Sequence, residues 1–155
     1  MPSSPLFSIV IPTYNRAAYI EMAVRSALNQ MISGDELIVV DGGSQDETVE
    51  ILKTFDDRIL ILHGAHGGAG RARNLGIEKA RNELVVFLDS DDTGLPGKLQ
   101  LQRVLMEARL VYFSVSPIVK WSAAMVRCNL DISISGIVTM QGGKKPLVPG
   151  QNILP

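Results

Sequence analysis

Phe7-Ser8-Ile9-Val10-Ile11 runs without a break into Pro12-Thr13-Tyr14-Asn15. A short, β-branched apolar run with no polar alternation, stopped by proline, suits a strand covered on both faces. Such strands belong to parallel sheets sandwiched by helices, and the flanking sequence agrees. Tyr19, Ile20, Ala23, Val24, Ala27, Leu28 and Met31 recur at helical spacing and stop before Ser33-Gly34. Residues 36–40 form a second apolar strand, which ends at Asp41-Gly42-Gly43-Ser44. A helix capped by Ser44 or Asp46 follows, with Val49, Ile51, Leu52 and Phe55 inward.

Residues 58–62 read as a third strand, and His63-Gly64-Ala65-His66-Gly67-Gly68-Ala69-Gly70 leads into a helix over about 71–80. A fourth apolar strand, 84–88, ends at Asp89, and Pro96 suits the first position of a helix to about 108 that buries Leu99, Val104 and Leu105. Four β-α units in succession predict an α/β fold, a mostly parallel Rossmann-like sheet with helices on both faces. From residue 110 the pattern changes. Runs 110–116, 118–126 and 131–140 read as strands, so an α/β ligand-binding unit over 1–109 is followed by a short β-rich extension over 110–155, within one domain overall.

Composition narrows the class. The 155 residues are 46% apolar and 20% charged, with a net charge of -1, which argues for a globular chain without a nucleic-acid footprint or polybasic membrane patch. Cys128 is the single cysteine and cannot form an internal disulfide, which suits a reducing compartment. The amino terminus lacks the pattern of a secretory signal. The most apolar stretch, 104–121, carries Glu107, Arg109 and Lys120 and predicts no membrane span. The expectation is a cytoplasmic protein, with room for peripheral contact at the inner face of a membrane.

Ligands of open parallel sheets bind beyond the carboxyl ends of the strands. There this sequence places Pro12-Thr13-Tyr14-Asn15, Asp41-Gly42-Gly43-Ser44 and Asp89-Ser90-Asp91-Asp92. Two carboxylates one residue apart can reach one hard cation, whose remaining ligands are often phosphate oxygens. The same aspartates also suit a turn and a helix cap. Asp41 can accept from a ribose or base edge, or serve its own turn. Tyr14 can stack on a planar base or pack. The glycine loop opens a helix carrying Arg73, whose paired donors suit a phosphate or a base carbonyl. As a dinucleotide fingerprint the loop fails, because Arg73 stands where the third glycine belongs.

In order, Ser8-Ile9-Val10-Ile11-Pro12-Thr13-Tyr14-Asn15-Arg16, Leu28-Asn29-Gln30, Glu36 through Asp46, Gly70-Arg71-Ala72-Arg73-Asn74, Phe87-Leu88-Asp89-Ser90-Asp91-Asp92 and Leu95-Pro96-Gly97-Lys98-Leu99 resemble the family 2 glycosyltransferases of the GT-A fold. The resemblance covers about residues 7–102. It implies an inverting transferase that binds a nucleotide-diphospho-sugar donor, usually UDP-linked, with Mg²⁺ or Mn²⁺. The acceptor would be a saccharide or lipid-linked hydroxyl in polysaccharide synthesis. By position, Tyr14 would face the base and Asp41 the nucleoside, Arg73 the base or diphosphate, Asp89 the ribose or sugar, and Asp91 the metal. Pro12, Thr13, Asn15 and Ser90 complete the donor contacts, and Asp89 joins Asp91 as a metal ligand. Many members carry Asp-Asp-Gly-Ser after the second strand, whereas here the second acidic position is Gly42. Members continue past the length of this chain into acceptor contacts and the general base, so the catalytic residue is left unassigned.

Two alternatives stand beside this reading. One is a nucleotide-binding fragment or degenerate member without transferase activity. The other is a haloacid dehalogenase-like phosphatase, whose first motif residues 85–94 also resemble, with Asp89 as nucleophile. That reading lacks the later paired aspartates and leaves three β-α units unexplained.

Overall fold

A computed structural model describes residues 4–64 and 67–107, and the backbone of 115–116, 118–120 and 135–139. The first four strands, β1 (Phe7–Thr13), β2 (Glu36–Asp41), β3 (Leu60–His63) and β4 (Leu84–Phe87), are parallel. Helices α1 (Ile20–Leu28), α2 (Thr48–Lys53) and α3 (Gly68–Lys79) make the connections. Strand β5 (Asp92–Gly94) and helix α4 (Lys98–Glu107) follow, then β6 (Val115–Ser116), β7 (Ile118–Lys120) and β8 (Ser135–Thr139). The main sheet runs β3-β2-β1-β4-β8-β6, with β8 antiparallel to β4 and to β6, while β5 pairs with β7.

Every residue of β1 is buried, and its alternation divides the core. Phe7, Ile9 and Ile11 pack with Ile20, Val24, Leu52, Phe55 and Leu99, the side of α1, α2 and α4. Val10 packs with Ile38, Val40, Val85, Phe87 and Ile77, the side of α3. Helices therefore cover both faces, as the uninterrupted apolar strands predict. Ser8 is a polar residue near the start of β1, and its hydroxyl donates to Glu36 Oε1 at 2.6 Å and accepts from Asn82 N at 3.1 Å. Bonded on both sides, the hydroxyl avoids the penalty of a lone buried polar group.

Several boundaries differ from the sequence expectations. The third strand begins at Leu60, because Asp56–Arg58 form a 3₁₀ turn with Asp56 at a φ of 49°. Ser44 does not cap α2. Asp46 does not stand at the cap either: that position is Glu47, which makes no side-chain cap. Asp46, one residue further back, accepts from Thr48 N at 3.0 Å, and the Ser44 hydroxyl serves Asp41 and Asn15. Helix α3 begins at Gly68 inside the glycine loop rather than at 71. Helix α4 begins at Lys98, since Gly97 turns through a φ of 81° after Pro96. Its inner face is set by Leu99, Gln102 and Arg103, which puts Val104 outward at 55% exposure, against the burial expected of it, with Leu105 half-buried. Strand β5 was hidden from periodicity by its length of three residues.

Strands β6, β7 and β8 each fall inside one of the three expected runs, and the remainder of those runs, with the 109/110 boundary, lies outside the described residues. Among the described residues, no helix is long and apolar enough to cross a membrane.

Candidate functional site

Parallel pairing aligns the strand ends. Thr13 lies beside Asp41, and Asp41 beside His63, at the carboxyl edge of the sheet. Beyond that edge opens a cleft of about 500 Å³. Pro12, Thr13, Tyr14 and Arg16 from the loop after β1 line it, with Gly42 from the loop after β2. Gly67, Gly68, Ala69, Ala72 and Arg73 line the side of α3, and Asp89, Ser90 and Asp91 the remaining wall. Six of the eight residues expected to hold a nucleotide sugar therefore share one cavity, and Asn15 and Asp41 do not line it.

Those two build the loops instead. Asn15 takes a positive φ of 50°; its Oδ1 accepts from Gln45 N at 2.8 Å and its own N–H donates to the Ser44 hydroxyl at 2.9 Å. Asp41 is 2% exposed, and its carboxylate accepts from Gly43 N at 3.1 Å, Ser44 N at 3.2 Å and the Ser44 hydroxyl at 2.5 Å. Its acceptors are turned into its own loop, the turn alternative for this residue. Gly42 N donates to Thr13 O at 2.8 Å, tying the two loops together. A Cβ at Gly42 would stand 3.5 Å from Tyr14 Cβ, in ordinary contact with the tyrosine. Tyr14 itself is 47% exposed at the cleft wall, free to receive a planar group.

The acidic turn extends β4. Leu88 N donates to Val10 O at 3.1 Å, and Asp92 N closes the turn on Asp89 O at 3.0 Å. Arg73, on α3 with its guanidinium 5.9 Å from the centre of the Phe87 ring, donates to Asp89 Oδ1 at 2.5 Å. Arg16 lies 4.0 Å from Asp91. Both of the latter side chains are over two-fifths exposed, and such a pair contributes about 1 kcal/mol or less. Arg16 can thus turn to an incoming anion at small cost, while Arg73 faces the same cleft from a shorter, more buried pair with Asp89. The glycine-rich amino end of the 12-residue α3 faces the same space and favours an anion as well.

Nothing in the sequence gives Arg16 a role, because its approach to Asp91 depends on the fold. Lys98 was missed too. Asp92, the third aspartate, is 1% exposed beneath the turn, and Lys98 is 6% exposed at the start of α4. Loss of water around the Lys98 ammonium pulls its pKa from 10.5 to about 8, against the opposing attraction of Asp92 and Asp89. A lysine lowered in this way binds fewer protons folded than unfolded between about pH 8 and 10, so folding stability should rise with pH there, by up to about 1.4 kcal/mol per unit. Lys98→Met should lack that rise in denaturant titrations run across the window; parallel slopes in the two proteins would contradict it. His63, exposed, lies 3.7 Å from Asp41 through Nδ1. His66, Trp121, Cys128 and Asp131 lie outside the described residues.

Comparison with known proteins follows the same outline. The chain is 42% identical over 99 residues to an uncharacterized glycosyltransferase of Rickettsia prowazekii, RP339, covering 64% of this chain and 31% of that protein. It is 40% identical over 114 residues to the putative teichuronic acid biosynthesis glycosyltransferase TuaG of Bacillus subtilis, covering 71% and 45%. Among solved structures, S. aureus TarS 1-349 in complex with UDP-GlcNAc superposes with a TM-score of 0.62 at 28% identity, covering 69% of this chain and 32% of that one. The chain spans about a third of the length of the first curated relatives it matches. A family model described as Glycosyl transferase family 2 matches residues 8–129, and the chain belongs to that family.

Proposed function

We propose that this chain forms the donor-binding half of an inverting glycosyltransferase that takes a UDP-sugar with a divalent cation and passes the sugar to an acceptor hydroxyl. The observation that carries the reading is convergence: Tyr14, Arg16, Arg73, Asp89 and Asp91, from three separate strand ends, line one cleft. The UDP-GlcNAc complex of the similar TarS supports the choice of donor. The likeness to TuaG, by its name a putative teichuronic acid biosynthesis glycosyltransferase, supports a role in polysaccharide synthesis. A saccharide or lipid-linked acceptor and a cytoplasmic place at the inner face of a membrane complete the proposal.

The residues fit a hard cation. Asp89 and Asp91 both reach the cleft with partly exposed side chains, while no group of three His, Cys, Asp or Glu residues suited to a metal exists among the described residues. Two carboxylates completed by donor phosphate oxygens suit Mg²⁺ or Mn²⁺. Bound there, the cation would neutralise charge on the departing diphosphate. The protein's own groups do the rest. Tyr14 receives the base, Asp41 and Asn15 hold the loop beneath it, and Arg73 and Arg16 leave their aspartates to meet the phosphates. Ser90 and Asp89 border the sugar. In direct displacement the acceptor hydroxyl attacks the anomeric carbon opposite the diphosphate, and a base accepts its proton. None of the residues assigned here serves as that base.

Calorimetric titration of UDP with and without Mn²⁺ tests the proposal. Binding should depend on the metal, and Asp91→Ala should abolish that dependence, since it removes one of the two carboxylates proposed to hold the cation. No UDP binding by the parent chain would overturn the reading. UDP binding without transfer would favour a nucleotide-binding role. The phosphatase-like reading of 85–94 leaves three β-α units unexplained that the family match covers.

A further inference from the structure

The acidic turn is held from below by one amide side chain. Gln30 follows the last turn of α1, and its Nε2 donates to Ser26 O at 3.0 Å and to Gly94 O, in β5, at 3.2 Å. Its Oε1 accepts from Leu99 N at 3.3 Å, in the first turn of α4. Beside it the Ser26 hydroxyl accepts from Gly94 N at 3.1 Å and donates to Ala23 O at 2.8 Å. Both backbone groups of Gly94 are therefore bound by side chains of α1 and of the turn that follows it. The approach is close, since a Cβ at Gly94 would come within 3.2 Å of Gln30 Nε2.

Strand β5 begins one residue after Asp91 and has its one strand partner in β7. The main sheet thus fixes only the entry to the turn, through Leu88 on Val10. Among the described residues, its exit is held at Gly94 by Gln30 and Ser26, and along Asp92–Gly94 by pairing with β7. The junction needs a donor facing two carbonyls and an acceptor facing an N–H in one planar group, which a side-chain amide supplies. A carboxylate would repel both carbonyls, and an apolar chain would leave all three unmatched.

We infer that Gln30, with Ser26, is a positioning residue that sets the Asp89-Ser90-Asp91 turn at the height where its carboxylates meet the cleft. The inference rests on the donor-site reading above for its consequence in binding, and on hydrogen bonds alone for its consequence in structure. Outer groups that orient metal-binding side chains typically alter metal affinity tenfold to a hundredfold when removed, roughly the effect expected here.

The experiment compares the parent chain with Gln30→Met, Ser26→Ala and a core control on the α2 side, Ile59→Val, at a temperature where circular dichroism shows all four folded. Amide hydrogen exchange should speed up at Asp92 and Gly94 in Gln30→Met and Ser26→Ala, and remain at parent rates there in Ile59→Val. Mn²⁺-dependent UDP affinity should fall roughly tenfold or more in Gln30→Met, with affinity for UDP alone unchanged. Parent-like exchange at both amides in Gln30→Met overturns the inference, whatever the binding result. Faster exchange in a chain that binds no UDP at all leaves the positioning role standing and overturns the donor-site reading instead. Equal acceleration in Ile59→Val would show general loosening and also overturn it.

Discussion

Arg103→Met is expected to cost the fold about 3–5 kcal/mol, the usual result of stripping one partner from a buried ion pair. Asp35 has no exposed side-chain surface, and the Arg103 side chain is 8% exposed. The guanidinium donates to the Asp35 carboxylate and to Pro5 O, and lies 4.4 Å from the centre of the Phe7 ring. Phe7 N, at 2.8 Å, and Ile32 N, at 2.9 Å, donate to the same carboxylate. Without the arginine, those two N–H groups remain but the charge is uncompensated. A domain is typically stable by only about 5–15 kcal/mol, so the loss takes a large share. The double variant Asp35→Asn/Arg103→Met should recover much of it, because the amide oxygen can still accept from Phe7 N and no charge is buried. Urea unfolding of the parent, the single and the double variant reads both. A single variant within about 1 kcal/mol of the parent, the value of an exposed pair, would contradict the buried geometry.

How much of this was legible in the sequence follows from the range of the forces. Strand β1 could be read because burial on both faces leaves a continuous apolar run, and its polar end could be placed because parallel strands share a carboxyl edge. The cleft-lining Tyr14, Asp89 and Asp91 followed from that edge, and Arg73 from the glycine loop that opens a helix beside it. What stayed hidden depended on long-range contact. Arg103 and Asp35 are 68 positions apart, and the burial of Lys98 depends on how α4 is rotated. The same rotation put Val104 outside, because Gly97 at positive φ resets the helix start and polar Gln102 and Arg103 take the inner face. Asp41 shows the complementary limit. Its place at a strand end was legible, but whether its carboxylate served a ligand or its own loop depended on the Ser44 hydroxyl 2.5 Å away.

Gly76→Ala is expected to destabilise the chain by about 1–2 kcal/mol, although helix propensity alone would favour alanine by about 1 kcal/mol. The sign is decided by Val10. Gly76 lies in α3 where the helix rests on β1, and a Cβ there would stand 2.3 Å from Val10 Cγ1 and 3.0 Å from Cγ2. Val10 is fully buried, and a β-branched side chain has few rotamers to retreat into. Helix or strand must therefore shift, and forced overpacking of this kind costs about 1–3 kcal/mol. Gly76→Leu should exceed that. The displacement bears on the site as well. Arg73 stands three residues before Gly76, near one turn of helix, and reaches Asp89 at 2.5 Å only while α3 rests close to the sheet. Lifting the helix should therefore weaken UDP binding along with stability, whereas a loss of equal size made at Ile59 should leave binding intact. Combining Gly76→Ala with Val10→Ala separates the causes: space opened on the strand should offset the added methyl, giving a double variant more stable than the two separate losses predict. Additive losses, or a Gly76→Ala chain more stable than the parent, would mean that α3 does not rest on Val10, and Arg73 would then need another support for its place at the cleft.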